Sequence, residues 1–223
     1  MGLFIPLPIR VPSFIKWMHP YWYIWDRSSK EKIIYLTFDD GPIPEITEWV
    51  LDLLAQKKAK ATFFCIGDNV QKNPIIFNKI IDQGHSIGNH TQNHLKGWNT
   101  GMQVYLTNVA QAETTMSSAL NLQEEHKDLL HFPFFRPPYG KIKRNQAKKL
   151  RKKGYQIIMY RTVAYDWETK ISPERCLQNI IKNTKRGDII VFHDSIKASK
   201  NMMYALPKAI DYFLEKGYEF KAL

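Results

Sequence analysis

The sequence IIYLTFDDGP, residues 33–42, joins a strand-like run to two neighbouring carboxylates. Its first six residues are mostly β-branched or aromatic, a composition typical of a buried strand. Asp39 and Asp40 follow where that strand would end, and a glycine and a proline come directly after them. An ordinary turn would account for all four residues, because Asp, Gly and Pro favour turns for backbone reasons. The alternative is that the two carboxylates perform chemistry.

Apolar runs and helical patterns alternate along the rest of the chain. Further strands are predicted at residues 61–66, 86–88, 155–160, 188–192 and 218–222. Helices are predicted at residues 44–57, 74–83, 102–120, 144–153, 173–183 and 202–216. This alternation predicts an α/β fold with a parallel sheet, either open or closed into a barrel. Because such folds carry their chemistry at the C-terminal ends of strands, the position of Asp39 and Asp40 favours a functional role.

A second polar cluster, GNHTQNH at residues 88–94, follows a short predicted strand. His90 and His94 are four residues apart, and on a helical turn that spacing would place both rings on one face. Two imidazoles and one carboxylate make a three-ligand site with an open position, the pattern of catalytic zinc and also of non-haem iron. We expect zinc, or a similar divalent ion that acts as a Lewis acid.

Two adjacent carboxylates can divide the work at such a site. Neighbouring side chains at a strand end point in different directions, so one can bind the metal while the other faces the bound water. The metal lowers the pKa of that water toward roughly 7, and the second carboxylate can then act as general base.

Three further residues, His193, Asp166 and Arg136, are candidates for catalytic roles because of their positions in the chain. His193 comes directly after the predicted strand at 188–192 and is a candidate general acid, with a packing histidine as the alternative. Asp166 lies after another strand-like run, and a carboxylate bonded to a histidine ring would fix its tautomer and raise its pKa. Arg136 opens RPPYG, and an arginine beside a carboxylate keeps it ionised; a surface arginine is the alternative.

Five short motifs, taken in order, resemble the polysaccharide deacetylase family, the NodB-homology domain of carbohydrate esterase family 4. They are TFDDGP (37–42), HTQNH (90–94), RPPYG (136–140), YDW (165–167) and VFHD (191–194). The resemblance extends from about residue 32 to the C-terminus. It implies a distorted (β/α) barrel, TIM-like but with roughly seven strands.

The resemblance also implies a role for each motif residue. The implied roles are Asp39 as catalytic base, Asp40, His90 and His94 as metal ligands, Arg136 as the residue that orients Asp39, the backbone N–H of Tyr139 as oxyanion donor, Asp166 as the partner of the acid His193, and Trp167 and Val191 as the walls of an acetyl pocket. The metal is usually zinc, with Co²⁺, Ni²⁺ or Mn²⁺ as alternatives. The implied reaction is attack of metal-bound water on the N-acetyl group of a hexosamine, in peptidoglycan or a chitin-like glycan.

Two positions depart from the family pattern. Val163 stands four residues before Trp167, where the family often carries an acidic residue, and Val191 replaces the usual leucine. Neither change removes a metal ligand, the base or the acid, so an active enzyme is expected. The alternatives are a deacylase of a small amide or a lipid-linked sugar, and a catalytically silent carbohydrate-binding module on the same fold.

The first 31 residues are rich in proline and contain three of the six tryptophans. We expect residues 1–31 to pack on a single domain formed by residues 32–223, with peripheral contact to a surface, or a wall of a ligand groove, as the alternative. Arg10 and Lys16 interrupt the apolar stretches, so no transmembrane helix is expected, and no clear signal peptide is present. The sequence therefore favours the cytoplasm, whereas the substrate class points to the cell envelope.

The net charge is +11, and much of it lies in KIKRNQAKKLRKK, residues 141–153. A solvated helix face is the ordinary explanation, and attraction to an anionic polymer such as peptidoglycan is the alternative. No nucleic-acid-binding motif occurs, so we expect an N-acetylated glycan substrate, no nucleic-acid partner and a monomer. Cys65 and Cys176 are too few for a cysteine zinc site.

Overall fold

A computed structural model describes residues 8–27, 30–120 and 132–223. The strands are β1 (Tyr23–Ile24), β2 (Ile33–Asp39), β3 (Ala61–Cys65), β4 (Ser86–Asn89), β5 (Phe134–Phe135), β6 (Gln156–Ile158), β7 (Thr162–Val163), β8 (Ile189–His193) and β9 (Glu219–Phe220). The α-helices are α1 (Ser13–Met18), α2 (Ile46–Gln56), α3 (Gly67–Lys72), α4 (Pro74–Asp82), α5 (Met102–Ala119), α6 (Arg144–Lys152), α7 (Pro173–Asn183) and α8 (Ser199–Glu215). Two short 3₁₀ turns lie at Gly97–Asn99 and Pro138–Gly140.

One parallel sheet organises these elements. Its strands follow the order β1-β6-β5-β4-β3-β2-β8-β7, and β9 pairs with the start of β2. Every strand pair is parallel. The predicted distorted barrel is confirmed, with nine strands in the described residues instead of about seven. Three of them, β1, β5 and β7, are only two residues long and are not among the strands predicted above.

Residues 8–27 connect the two outer strands of the sheet. Val163 N–H in β7 donates to the carbonyl of Ile9, and Val11 N–H donates to Arg161 O at 2.8 Å. At the other end, β1 pairs with β6, and Met159 N–H donates to Ile24 O at 2.6 Å. The first segment thus passes from one outer strand to the other. Residues 1–7 and 28–29 lie outside the described residues, so the proposed division at residues 31 and 32 stays a prediction.

The aromatic side chains of this first segment fall into two groups. Tyr23 and Trp25 are buried, as expected for a segment that packs on the domain. Phe14, Trp17 and Tyr21 are exposed instead, which differs from the expectation that the segment buries its aromatics.

The centre of the sheet packs through aromatic rings. Phe38 of β2 stacks on Phe63 of β3, with ring centroids 5.0 Å apart, and lies 6.3 Å from Phe192 of β8. All three are fully or almost fully buried, so the strand that ends in the two aspartates is fixed by packing on both sides. Cys65 and Cys176 are buried and unpaired. Within the described ranges, no helix combines the length and apolarity needed to cross a membrane.

Candidate active site

The C-terminal ends of five neighbouring strands bring most of the predicted site residues together. In the register, Asp39 of β2 is opposite Phe64 of β3 and His193 of β8. Cys65 of β3 is opposite Asn89 of β4, and Asn89 is opposite Phe135 of β5. His90 and Arg136 directly follow β4 and β5. The alternation of strands and helices therefore places residues that are far apart in sequence at one end of the sheet.

Asp40, His90 and His94 form a compact group of potential metal ligands. Asp40 Oδ1 lies 3.3 Å from His94 Nε2 and 3.8 Å from His90 Nε2. One ligand atom from each of the three residues lies within 4.8 Å of the others. The Nδ1 atom of His90 is 2.8 Å from the carbonyl oxygen of Arg136, which can only accept a hydrogen bond. The ring proton therefore resides on Nδ1, and the lone pair of Nε2 faces Asp40.

Two further observations show that this group fits a divalent cation. Asp40 Oδ1 is buried and has no hydrogen-bond partner in the part of the chain that the structure describes. Burial lowers the pKa of His90 to about 4, despite the nearby Asp39 carboxylate, so the ring is neutral at physiological pH. A neutral imidazole and an unpaired carboxylate oxygen are the forms in which these groups bind metals. A bound cation would also remove the cost of the unpaired oxygen.

The two histidines lie on an irregular bend, not on the helical turn that their spacing suggested. Thr91 and His94 both have positive φ, 67° and 57°, so residues 90–94 cannot form a helix. Side chains hold the bend instead. Thr91 N–H donates to Asn89 Oδ1 at 2.8 Å, and Asn108 Oδ1 on α5 accepts from the N–H of Gln92 at 2.9 Å. The two rings still lie together, with centroids 5.1 Å apart.

Asp39 lies between this group and Arg136, with its Oδ2 4.0 Å from His90 Nε2 and its Oδ1 bound by Arg136. Arg136 Nη1 donates to Asp39 Oδ1 at 2.7 Å and to Thr37 Oγ1 at 2.6 Å, and its Nη2 donates to the carbonyl of Met159 at 2.9 Å. Both Arg136 and Asp39 are buried. Burial alone would raise the pKa of Asp39, but the charge of Arg136 and, to a smaller extent, that of His193 lower it below its ordinary value. Asp39 is thus an ionised carboxylate, as a general base must be.

Arg136 is satisfied without the acidic residue that the family often carries at position 163. Val163 is buried beside Tyr165 and Val191 in a small apolar cluster. The guanidinium instead uses Thr37, Asp39 and backbone carbonyls, and its carbon lies 4.1 Å from the centre of the Phe64 ring. The departure at position 163 therefore leaves the ion pair with Asp39 intact.

His193 and Asp166 form the predicted pair. Asp166 Oδ1 lies 2.9 Å from His193 Nδ1, and Asp166 Oδ2 accepts the backbone N–H of His193 at 2.6 Å. Burial disfavours the charged imidazolium, but the Asp166 carboxylate outweighs it and raises the pKa of His193 to about 9. His193 therefore carries a proton at neutral pH, as a general acid must.

Replacing Asp166 by asparagine should lower the pKa of His193 from about 9 toward its ordinary value of 6.5, because burial is then opposed only by the smaller effects of Asp40 and Asp39. In the native protein the raised pKa stabilises the fold below the unfolded value of 6.5. That contribution is lost as the pH rises through about 9. Titration of the His193 ring by NMR in chelator-treated protein measures the shift. Asp211→Asn, at a partly exposed ion pair with Lys57, is the matched control. An unchanged His193 pKa in Asp166→Asn would show that the pair does not set it.

The remaining predicted residues surround these groups. Tyr139 has a left-handed backbone, φ 60°, in the turn fixed by Pro137 and Pro138, and its half-exposed ring lies 4.5 Å from the ring of His94. The ring of Trp167 lies 4.5 Å from that of His193. Val191 and Trp167 belong to one apolar cluster beside His193.

Sequence reasoning gave no role to two residues that shape the site. Thr37 lies two residues before Asp39 in β2. Its hydroxyl accepts a hydrogen bond from Arg136 and donates one to the carbonyl oxygen of Ile190. Asp194 accepts the N–H of Gly41 at 3.0 Å and the hydroxyl of Thr47 at 2.6 Å. A Cβ at position 41 would lie 1.9 Å from Asp194 Oδ2, so only glycine allows this contact. Asp194 thereby holds the turn that follows Asp40.

Comparison with known proteins relates this arrangement to one enzyme family. The family model described as polysaccharide deacetylase matches residues 26–158. A peptidoglycan-N-acetylglucosamine deacetylase of Bacillus cereus is 36% identical over 208 residues, 92% of this chain and 93% of that protein. The crystal structure of the Bc1960 peptidoglycan N-acetylglucosamine deacetylase superposes with a TM-score of 0.83 and 30% identity, and covers 93% of this chain and 94% of that one.

Another solved structure shows that the fold alone does not decide activity. A pseudoenzyme of the CE4 family from Bacillus anthracis superposes with a TM-score of 0.77 at 22% identity, over 90% of this chain and 66% of that one. At that identity the likeness concerns the fold only. Any assignment of activity must therefore rest on the side chains at the strand ends.

Proposed function

The chain belongs to the polysaccharide deacetylase family, and we propose that it hydrolyses the N-acetyl group of hexosamine residues in peptidoglycan. One observation supports this most strongly: the ligand group Asp40, His90 and His94 lies beside an ionised Asp39 and a protonated His193. Amide hydrolysis needs an activated water, a base to accept its proton and an acid to protonate the leaving amine. A silent binding module would need none of these.

In this proposal the chain's own residues divide the reaction. A divalent cation held by Asp40, His90 and His94 would supply Lewis-acid chemistry, polarising the acetyl carbonyl and lowering the pKa of a water. Asp39, kept ionised and fixed by Arg136, accepts the proton of the attacking water. The backbone N–H of Tyr139 donates to the developing oxyanion.

The acid and the pocket complete the proposal. As the tetrahedral centre collapses, His193 donates its proton to the amine nitrogen, and Asp166 stabilises its ring in the required tautomer. Trp167 and Val191 offer an apolar wall beside this acid, where the acetyl methyl group would fit. Hydrolysis therefore yields acetate and a free amino sugar.

Two observations favour peptidoglycan over a neutral glycan. The Bacillus cereus relative that matches nearly the whole chain is named for that substrate. The net charge of +11 also favours an anionic polymer through long-range attraction. We propose zinc as the native metal, because two imidazoles, one carboxylate and an open position form a typical catalytic zinc set.

The test is acetate release by purified protein from peptidoglycan, chitin oligomers and acetylated xylan. Each substrate is incubated with a chelator and then with added Zn²⁺, Co²⁺, Ni²⁺ or Mn²⁺. We expect chelator-sensitive release, with peptidoglycan as the best substrate. Absence of release with one metal bound per chain would indicate a small amide or a lipid-linked sugar as substrate. Absence of both release and bound metal would indicate a silent binding module.

A further inference from the structure

Helix α1 presents its apolar side chains outward. Phe14, Trp17 and Met18, spaced at i, i+3 and i+4, lie on one face and are 62%, 86% and 71% exposed. Tyr21, three residues after the helix, is 93% exposed. Ile15 packs inward against the buried cluster that contains Tyr23 and Trp25. A tight monomeric domain normally turns such a face toward its core, so this orientation requires an explanation.

Helix α6 supplies a dense positive charge. The segment 141–153 contains eight lysine or arginine residues and no acidic residue. On α6 itself, Gln146, Ala147 and Leu150 face the core, and the cationic residues are exposed. In the described ranges, none of the eight forms a salt bridge with a carboxylate. Among the residues that the structure describes, the positive charge of α6 is therefore not paired with carboxylates.

The apolar tip and the basic helix adjoin each other. Met18 and Arg144 line the same shallow cleft, of about 330 Å³, together with Tyr23. Seven residues after Arg144, on the same helix, the guanidinium of Arg151 lies 5.0 Å from the centre of the Trp22 ring. Arg144, Lys148 and Arg151 are spaced at i, i+4 and i+7 and form one stripe along α6. Its first and last members, Arg144 and Arg151, thus both lie next to the first segment. The middle member of that stripe, Lys148, is exposed and shares this face of α6.

We propose that this aromatic–basic surface, formed by Phe14, Trp17, Met18, Tyr21, Arg144 and Lys148, docks the protein on a lipid bilayer that contains anionic lipids. Exposed tryptophan and tyrosine beside methionine suit insertion at the headgroup level. Adjacent cations suit the negative potential of anionic headgroups. The two features adjoin each other, because Met18 and Arg144 line one cleft.

The chemistry of the tip favours a bilayer over an anionic polysaccharide. Sites that bind sugars are concave and place aromatic rings as platforms with polar groups around them. Trp17 and Tyr21 instead project almost completely into solvent. Their neighbour Met18 offers an aliphatic group that inserts among acyl chains but has no polar partner for a sugar hydroxyl. A polymer would use the charge of α6 and leave the apolar tip unused.

Flotation of the full chain with lipid vesicles tests this surface. We expect binding to vesicles of equimolar phosphatidylcholine and phosphatidylglycerol, and about tenfold weaker binding to phosphatidylcholine alone. The pair Arg144→Glu and Lys148→Glu should weaken binding about tenfold, and so should the pair Trp17→Ser and Tyr21→Ser. Tryptophan fluorescence should shift to shorter wavelength on binding, and the shift should be smaller without Trp17.

Matched controls separate this surface from general charge and general stickiness. Lys72→Glu with Lys216→Glu makes the same charge change at exposed positions outside the surface. Ile75→Ser with Ile196→Ser removes two other exposed apolar side chains. Both control pairs should bind vesicles like the unchanged protein, and all variants should release acetate from soluble substrate at the same rate. The proposal would be overturned if the protein bound neutral vesicles as well as anionic ones, or if the surface pairs and the control pairs lost binding equally. Binding to soluble teichoic acid without binding to vesicles would also overturn it.

Discussion

Replacing Asp39 by asparagine should lower the turnover of acetate release by roughly 100- to 10,000-fold while metal content stays near that of the unchanged protein. Asparagine has the same shape and keeps an oxygen to accept the 2.7 Å bond from Arg136 Nη1. It cannot accept a proton from water, so the proposed general base is lost. Asp40, His90 and His94 are unchanged, and their ability to bind a cation should survive. Turnover and bound metal, measured on the same preparation, provide the two readouts.

A matched substitution controls this experiment. Asp52→Asn makes the same chemical change at an exposed position on α2 and should leave turnover unchanged. Because Asp39→Asn also leaves the buried guanidinium of Arg136 without its counter-charge, thermal unfolding must be measured to show that the protein is folded at the assay temperature. Turnover close to that of the unchanged protein would mean that Asp39 is not the base.

Replacing His90 by alanine should lower the affinity for zinc by more than about 100-fold. This loss is larger than that expected for a residue that only hydrogen-bonds to a metal ligand. The substitution removes the imidazole whose Nε2 faces Asp40 Oδ1, leaving one carboxylate and one ring. Acetate release at limiting zinc should fall in parallel. Zinc retained after dialysis, measured by elemental analysis, and affinity from calorimetry report the loss directly.

His85→Ala is the matched control for that experiment. His85 is also buried, and its Nδ1 accepts the backbone N–H of Ala61, but it is not among the ligand group. This variant should keep full zinc occupancy even if its stability falls. Full occupancy in His90→Ala would refute the ligand role.

The sequence predicts those site residues that belong to short contiguous motifs at the ends of strands. Asp39 and Asp40 follow a long apolar strand, and His193 follows another, so their common position can be deduced from the α/β order. The pairing of Asp166 with His193 was also anticipated, and the structure places them 2.9 Å apart. Strands of five to seven residues give a clear pattern, and the residues after them are correspondingly easy to locate.

The parts that the sequence did not predict depend on contacts between distant residues. Thr37 looks like an ordinary strand residue, and only the fold brings Arg136 to its hydroxyl. The sequence shows that Asp194 follows His193. Its hydrogen bond with the N–H of Gly41 forms only because β2 and β8 are neighbours in the sheet. The bend at 90–94 has helical spacing yet positive φ at Thr91, because side chains from other elements fix it.

The first segment shows a different limit of sequence patterns. Spacing predicted neither α1 nor β1, because six and two residues are too short for a period to emerge. A pattern also shows which residues share a helix face but not whether that face meets the core or solvent. For Phe14, Trp17 and Met18 the face meets solvent, contrary to the usual expectation.

The connection that residues 8–27 make between the outer strands has a consequence for where the chain can be shortened. Its backbone occupies hydrogen-bonding groups of β7 near Thr162 and of β6 near Ile158. A protein cut to begin at residue 26, where the family model begins to match, would leave both strands as open edges. Open strand edges are templates for pairing with another molecule and hence for aggregation. The segment before the recognised motifs therefore covers two strand edges that would otherwise be open to pairing.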